Sequence, residues 1–402
     1  MNNTIKLAVA AALLAGASSA NAGIMIPAGD WTLDIGGIVN AYYTSTRASG
    51  TGTGLAAGND TGTKTASNIT TGLLPNYLSV SGKTRQNDLD VGFTISINPG
   101  ASTTRSGIQG ATDTKTGTGN PGNQENRQAF LTFGDKSWGS IKLGKDLGIY
   151  ASDAILNDMT LLGVGSGAGF LAGNTTTLGR IGTGFMYADW KSQIAYSSPN
   201  WNGFDFTAGI TQAWNGTGNT QRGGSSPAFE AKAAYAWTGD FGGKVWVSGL
   251  TQKLEGPGGN ANAWDLGATV NVAGFGLTGY YGQGKGTGTT VLFNGSVDAS
   301  GKKRDSDDWY VQGTYTIPGV GTKLGVSYGE STLDGNSLAS EGNGFKDSQN
   351  RMWTVGAYHP LTKHLNLVAE YNDVKGNVNS AVVANDTNGT AKTIALGAIL
   401  FF

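Results

Sequence analysis

The chain contains no cysteine and only two histidines among its 402 residues. The lack of thiols excludes a disulfide framework and a thiolate-bound zinc site. His359 and His364 flank one short turn, which is a poor position for a Ser–His dyad or for metal ligands. No segment approaches the roughly 20 apolar residues that a membrane-spanning helix needs. We therefore predict no enzyme, no metal or cofactor, and no α-helical membrane protein.

Charge is also scarce. Charged residues make up 14% of the chain and the net charge is −1, whereas about 25% charged residues is ordinary for a globular protein. No broad basic or acidic field is available, so the composition does not favour nucleic acid as a partner. Any selectivity for charge must come from the local placement of a few side chains.

The N-terminus has the pattern of a secretory leader. Residues 1–22 combine Lys6, an apolar stretch over Leu7–Ala17 and the small-residue cleavage site Ala20-Asn21-Ala22. We predict a signal peptide over residues 1–22 and one further domain over residues 23–402, because no composition shift marks a second boundary.

The C-terminus ends as an apolar strand. The side chains at alternate positions are Ile394, Leu396, Ala398, Leu400 and Phe402, so a strand here presents one apolar face that runs to the last residue. Such an ending suits a strand that closes a barrel in lipid, where closure removes unpaired edges. It indicates an outer-membrane β-barrel.

Strand signals recur along the whole chain, and the connections between them alternate between long and short. This rhythm is typical of an antiparallel transmembrane barrel with short periplasmic turns and long extracellular loops. A soluble all-β sandwich is the alternative, but it explains neither the rhythm nor the terminal aromatic. About sixteen strands are predicted, at 31–43, 76–82, 88–96, 126–133, 138–144, 190–197, 204–214, 229–237, 244–254, 264–272, 275–283, 309–316, 323–329, 352–359, 365–373 and 392–402.

Four segments resemble the general trimeric porins of Gram-negative bacteria, of the beta-proteobacterial type. They are Leu33–Tyr43, Trp138–Lys145, Ile194–Pro199 followed by Asn202-Gly203-Phe204, and the final Leu400-Phe401-Phe402. The resemblance covers the mature chain. It implies a sixteen-stranded homotrimer in the bacterial outer membrane, with a third loop folded into the lumen, and contacts with outer-membrane lipid and lipopolysaccharide.

A barrel of sixteen strands encloses an aqueous channel rather than a filled core. We therefore predict a porin that lets small hydrophilic solutes and ions diffuse passively. Two alternatives remain open at this stage: a channel selective for a sugar or an organic anion, and a structural or adhesive surface barrel with a plugged lumen. Inward Tyr42 and Tyr310 are too few to establish sugar selectivity.

The longest predicted loop, about Lys145–Asp189, contains an apolar run at Leu161–Val164 that is costly to expose and therefore predicts inward folding. Acidic groups on this loop and basic groups on the wall would create a transverse field in a narrow passage. We predict a mildly anion-selective constriction; the alternative is that each wall lysine is merely solvated. The predicted set is Asp146, Asp153 and Asp158 on the loop, Lys142, Lys191 and Lys232 on the wall, and Arg180 near the loop's return.

Two further features concern partners. Phe402 is predicted to be an assembly signal for the barrel-assembly machinery, because a terminal aromatic is exposed before the barrel closes. Asp305, Asp307 and Asp308 either gather a divalent ion or form an ordinary solvated charge run.

Overall fold

A computed structural model describes residues 23–50, 65–101, 124–166, 176–214, 226–254, 258–289, 295–342, 344–381 and 386–402. The predicted leader lies outside these residues. They form a closed antiparallel barrel in which each wall strand pairs with the next wall strand along the chain and the last pairs with the first. No helix in the described part of the chain is long and apolar enough to cross a membrane.

Sixteen strands form the wall, which confirms the predicted fold. They are β2 (Trp31–Gly50), β4 (Tyr77–Gln86), β5 (Leu89–Pro99), β7 (Ala129–Asp135), β8 (Gly139–Leu147), β9 (Trp190–Ser197), β10 (Phe204–Thr211), β11 (Ala228–Trp237), β12 (Phe241–Lys253), β13 (Asn260–Val272), β14 (Phe275–Lys285), β15 (Asp305–Thr316), β16 (Lys323–Asp334), β17 (Phe345–Pro360), β18 (Leu365–Ser380) and β19 (Thr387–Phe401). Strands β1 (Ile24–Ala28) and β3 (Thr65–Thr70) lie beside β2, and the two-residue β6 (Gln124–Glu125) pairs with the end of β5.

The strands alternate as the sequence predicts. On β11, Phe229 and Tyr235 are exposed on the outer surface, whereas Glu230 between them is buried inside. Large apolar side chains cover the outer surface because lipid accepts them, while polar groups turn inward to one another or to water. The outward apolar set includes Val39, Ile95, Leu131, Ile194, Val247, Leu266, Leu277, Val326, Val355, Ile394 and Leu396.

Pairs of aromatic side chains lie at one height along the barrel axis on its outer surface. Rings of neighbouring strands meet at centroid distances of 5.2 to 5.6 Å, in the pairs Trp264–Tyr281, Trp309–Tyr328 and Trp353–Tyr371. Phe241 and Phe275, at the opposite ends of their strands, are more than half exposed. Aromatic belts at two levels are the arrangement that anchors a barrel at both membrane interfaces.

The last residue closes the barrel. Phe402 N–H donates to Gly37 O at 3.0 Å, and Gly37 N–H donates to Phe402 O at 2.7 Å. A side chain at position 37 would meet the Phe402 ring at 2.7 Å, so the close approach requires glycine there. The apolar C-terminal strand is thus the closing strand, as predicted.

Several strands are longer than the ranges predicted for them. Strand β2 has 20 residues, β17 and β18 have 16 each, and β19 has 15. Their extra residues, such as Thr44–Gly50, are polar, and apolar alternation stops where they begin. Pattern analysis therefore detects the apolar part of each strand and misses the polar extension. It also missed β1, whose five residues are too few to establish a period.

Candidate functional site

The described parts of the segment between β8 and β9, residues 148–166 and 176–189, fold into the barrel and are together called the inner loop here. It contains a short helix, Ser152–Leu156, and two 3₁₀ helices, Met159–Leu162 and Gly179–Thr183. The predicted inward folding is confirmed. The loop begins three residues later than predicted, because β8 continues to Leu147.

An inward carboxylate holds the start of the loop. The main-chain N–H groups of Ile149 and Tyr150 donate to Glu230 Oε2 on β11, at 2.8 and 2.9 Å. Successive N–H groups in a turn form a concave site for an anion, and here a wall carboxylate occupies it. Glu230 also accepts from Lys191 Nζ on β9, so its charge is neutralised.

Wall carboxylates also accept from main-chain N–H groups at two points farther along the loop. The N–H groups of Val164 and Gly165 donate to Glu370 Oε2 on β18, at 2.9 and 3.0 Å. The N–H of Met186 approaches Asp308 Oδ2 on β15 at 3.3 Å. Three carboxylates spread around the wall therefore position the start, middle and end of the inner loop.

Aromatic packing supports these polar anchors. Loop side chains Phe185 and Tyr187 lie against wall side chains Tyr280 and Tyr310, with Tyr187 meeting both wall rings edge-on at 5.9 and 6.4 Å. All four are nearly inaccessible to solvent. The predicted apolar run is buried as well, with Val164 at 0% exposure. The loop is thus a packed layer on the wall rather than a surface loop.

One predicted charge pair is sealed inside this layer. Arg180 Nε donates to Asp158 Oδ2 at 3.0 Å, and both side chains have 0% exposure. The guanidinium also donates to Ser327 Oγ at 2.5 Å and lies over the Tyr310 ring. Neither residue reaches the lumen. They therefore do not line the predicted constriction. Their contact instead joins the two 3₁₀ helices.

Lys191 is likewise covered. Its ammonium group contacts Glu230, lies 4.3 Å from the centre of the Trp214 ring, and leaves 3% of the side chain exposed. Period-two counting correctly placed it inside the barrel. It could not show that Lys191 would be covered, because its partners Glu230 and Trp214 belong to later parts of the chain.

Asp153 on the loop helix faces two wall lysines. Lys232 Nζ lies 3.3 Å from Asp153 Oδ2, and Lys244 Nζ contacts Asp153 Oδ1. Burial opposes ionisation of this carboxyl, but the two ammonium groups outweigh it and lower its pKa below the usual 3.8. The lysine side chains keep 23% and 27% exposure, against 4% for Asp153. The ammonium groups are thus the more accessible part of this cluster.

Lys142 and Asp146 form a second inward cluster. Both lie on β8, four residues apart, and their side chains contact each other along the strand. Gln128 Nε2 donates to the same Asp146 carboxylate at 3.0 Å. Asp146 was predicted to belong to the loop, but β8 extends past it and places it on the wall. It therefore neutralises Lys142 locally and does not face that lysine across the lumen.

Sequence reasoning missed Lys244, which stands at an inward position of β12 two residues before Trp246. It also missed the wall carboxylates Glu370 and Asp308 as loop anchors. The available signal was a charged side chain at an inward position of an otherwise apolar strand. The pattern gives the face on which such a side chain lies but not its partner.

Asp305, Asp307 and Asp308, for which an ion site was one of two interpretations, do not converge. Asp307 and Asp308 are consecutive strand residues and so lie on opposite faces. Asp308 is buried inside, whereas Asp305 is exposed and pairs with Lys285. Among the residues that the structure describes, no group of three or more His, Asp or Glu side chains is placed to hold a metal ion.

A family model described as Gram-negative porin matches residues 8–379. Among solved structures, the chain is similar to the outer membrane channel DcaP of Acinetobacter baumannii, with a TM-score of 0.65, 15% identity, and coverage of 95% of this chain and 100% of that one. It is also similar to an anion-selective porin from Comamonas acidovorans, with a TM-score of 0.59, 15% identity, and coverage of 92% and 100%. A third similar structure is OmpF of Salmonella typhi in complex with daunomycin, with a TM-score of 0.58, 16% identity, and coverage of 94% and 100%. No curated protein sequence matches the chain.

Proposed function

Because the chain belongs to the Gram-negative porin family, we propose that this outer-membrane channel for passive diffusion of small hydrophilic solutes and ions has a mild preference for anions. One observation carries the proposal. Among the residues that the structure describes, the ammonium groups of Lys142, Lys232 and Lys244 in these two accessible inward clusters pair with only two carboxylates, those of Asp146 and Asp153. One positive charge is left over, and the lysines are the more exposed partners.

The excess charge acts on permeating ions because a narrow lumen beside a protein wall screens charge less than bulk water does. The similar porin from Comamonas acidovorans is described as anion-selective, which agrees with this proposal. Planar-bilayer recording in a salt gradient tests it. A reversal potential of the sign expected for anions supports the proposal, and a cation-type potential contradicts it.

The alternative of a sugar-selective channel loses its support. Tyr42 Oη donates to Leu162 O at 2.6 Å, and Tyr310 Oη donates to Ala154 O at 2.8 Å. Both rings are 1% exposed beneath the inner loop. They pack against the loop instead of offering a stacking surface to a sugar.

We expect the barrel to assemble as a homotrimer. The family resemblance implies this, and small outward residues at the closing seam, where Ala398 pairs with Ala41, allow close approach of another barrel. Unboiled protein extracted in detergent should migrate and scatter light at three times the mass of one chain. A monomeric mass under conditions that preserve the fold would contradict the assembly.

Deleting Phe402 should lower the amount of folded protein in the outer membrane. The deletion removes two main-chain hydrogen bonds to Gly37, worth about 2 kcal/mol together, and it removes the aromatic that we propose the barrel-assembly machinery recognises. Surface labelling and heat-modifiable mobility measure the folded fraction. Phe275→Ala is the matched control, because it removes an exposed outward aromatic from an internal strand. Equal surface levels for both variants would refute the assembly role.

A further inference from the structure

Four cationic side chains form a row on the outer surface of the barrel, called the outer basic row here. It consists of Arg351 on β17, Lys375 on β18, Lys392 on β19 and Arg47 on β2, and all four are exposed. These strands are consecutive neighbours in the wall. At about 4.8 Å per strand, the row extends over about 14 Å. It is long enough to contact an extended anionic group.

The strand register places cations of this row directly opposite each other. Arg351 pairs with Lys375, and Lys392 pairs with Arg47. Side chains at such positions have Cβ atoms about 4.5–5.5 Å apart, and like charges there destabilise the strand pair. An anion that bound to both members of a pair would remove this repulsion.

Neighbouring carboxylates neutralise the row only in part. Arg351 also pairs in register with Glu330, and Lys392 pairs with Asp373. The Lys392 ammonium lies 3.8 Å from the Asp373 carboxylate, but 50% of the lysine side chain is exposed, against 8% of the aspartate. At these register positions four cations accompany two carboxylates, so an excess of two positive charges remains.

The row lies just beyond the aromatic belt. Arg351 comes two residues before Trp353, and Lys375 comes four residues after Tyr371, whose ring meets that of Trp353 at 5.2 Å. Tryptophan and tyrosine rings prefer the headgroup level of a membrane. The long connections leave the wall on this side of the belt, which makes it the extracellular side. The outer basic row therefore faces the headgroups of the outer leaflet.

The outer leaflet of a Gram-negative outer membrane consists mainly of lipopolysaccharide, whose lipid A anchor carries phosphate groups at the headgroup level. Arginine and lysine bind phosphate through charge-assisted hydrogen bonds. We propose that the outer basic row binds the phosphates of lipid A. Ile394 and Leu396, which lie below Lys392 on the same face and are about half exposed, would contact its acyl chains.

Acidic side chains limit the site on one side. Asp334 on β16 pairs in register with Asp305 on β15 and with Asp347 on β17. These carboxylates also lie on the outer face, and they would repel a phosphate. The bound lipid should therefore lie over the strands from β17 to β2. Cations and carboxylates are separated along this rim, whereas a merely solvated surface needs no such separation.

Binding of purified lipid A tests the site. Protein refolded in non-ionic detergent without lipopolysaccharide should bind diphosphorylated lipid A saturably, as measured by surface plasmon resonance, and added salt should weaken the binding. Lipid A from which both phosphates have been removed should bind at least about tenfold more weakly. Arg351→Gln with Lys375→Gln should weaken binding of the phosphorylated form by a similar factor, because each basic residue beside an anionic lipid adds to the attraction.

The matched control is Lys253→Gln with Lys285→Gln, which removes the same charge from exposed outward positions of β12 and β14. It should leave the affinity unchanged, and heat-modifiable mobility verifies that each variant is folded. Equal affinities for the two forms of lipid A, or an unchanged affinity of the folded Arg351→Gln/Lys375→Gln protein, would overturn the proposal.

Two further measurements separate lipid A from other anionic partners. Inorganic phosphate that bound as tightly as lipid A would assign the row to free anions and overturn the lipid assignment. The Arg351→Gln/Lys375→Gln protein should keep the mass of the wild type in detergent without lipid. A changed mass together with an unchanged affinity for lipid A would instead make the row a contact between copies of the chain.

Discussion

Replacing Asp158 by alanine is expected to release the inner loop from the barrel wall while the barrel itself stays folded. Asp158 accepts from Thr160 N–H, Tyr187 Oη and Arg180 Nε, at 3.0, 3.1 and 3.0 Å. Its removal leaves the guanidinium of Arg180 buried without a counter-charge, which costs about 3–5 kcal/mol. That cost falls on the loop, because the strand ladders do not depend on this pair.

Single-channel recording and protease digestion measure the release. We expect larger fluctuations of the open-channel current and new cleavage within residues 148–189, with unchanged heat-modifiable mobility. Replacing both members, Asp158→Leu with Arg180→Met, should restore a quiet channel, because no unpaired charge remains in the packed layer. A quiet, protease-resistant Asp158→Ala channel would show that the aromatic packing alone holds the loop.

Asp153→Ala is the matched control on the same loop. The lysines that it leaves unpaired, Lys232 and Lys244, are about a quarter exposed, so water can solvate them and the cost should stay near that of a surface pair, about 1 kcal/mol or less. The loop should remain docked in this variant. Anion preference should increase, because one negative charge has been removed beside the lumen.

Most of the barrel was predictable because lipid imposes a strict rule on the sequence. A strand that crosses lipid must alternate apolar and polar side chains, and the alternation in Phe229–Trp237 or Leu365–Asp373 directly gives the side on which each residue lies. The polar extensions of the strands follow no such rule, since water surrounds them. Their lengths emerged only from the pairing of neighbouring strands.

The site was less predictable, because alternation gives the face of a residue but not its accessibility. Lys191, Arg180 and Asp158 were correctly expected inside the barrel, yet all three are buried. Their burial depends on contacts between residues far apart in sequence, such as Lys191 with Glu230. Lys142 and Lys232 remain accessible. Lys244 belongs to the same accessible group because it contacts Asp153, a contact that only the folded structure reveals.

Neutralising the two lysines around Asp153 is expected to reverse the preference of the channel from anions to cations. Lys232→Gln with Lys244→Gln changes the balance of the accessible clusters from one positive to one negative charge. A unit charge about 4 Å from a permeating ion is worth about 1 kcal/mol even in bulk water, so the permeability ratio of anions to cations should fall at least about tenfold. Glutamine keeps an amide donor for Asp153, which favours a docked loop helix.

The reversal potential in a salt gradient measures the change, and Lys253→Gln with Lys375→Gln is the matched control. These two lysines are exposed on the outer surface of the extended strands β12 and β18, so the same loss of charge should leave the reversal potential unaltered. Adding Asp153→Asn to the double lysine variant should return the channel to near neutrality. An unchanged reversal potential in folded Lys232→Gln/Lys244→Gln protein would remove this cluster from the path of the ions.

Lowering the pH should change the ion selectivity of the Lys232→Gln/Lys244→Gln variant at a higher pH than that of the wild-type channel. In the wild type, the ammonium groups keep the pKa of Asp153 below 3.8, so this carboxylate stays charged, and the loop contact it stabilises persists, until the pH falls through that lowered value. Without the lysines, burial dominates and raises the pKa of Asp153 above 3.8, so the carboxyl takes up a proton at a higher pH. Cation preference of the variant should therefore fade as the pH is lowered toward that value, whereas the wild-type contribution of Asp153 stays constant. A variant whose selectivity does not change with pH over this range would mean that Asp153 remains ionised through water or another partner.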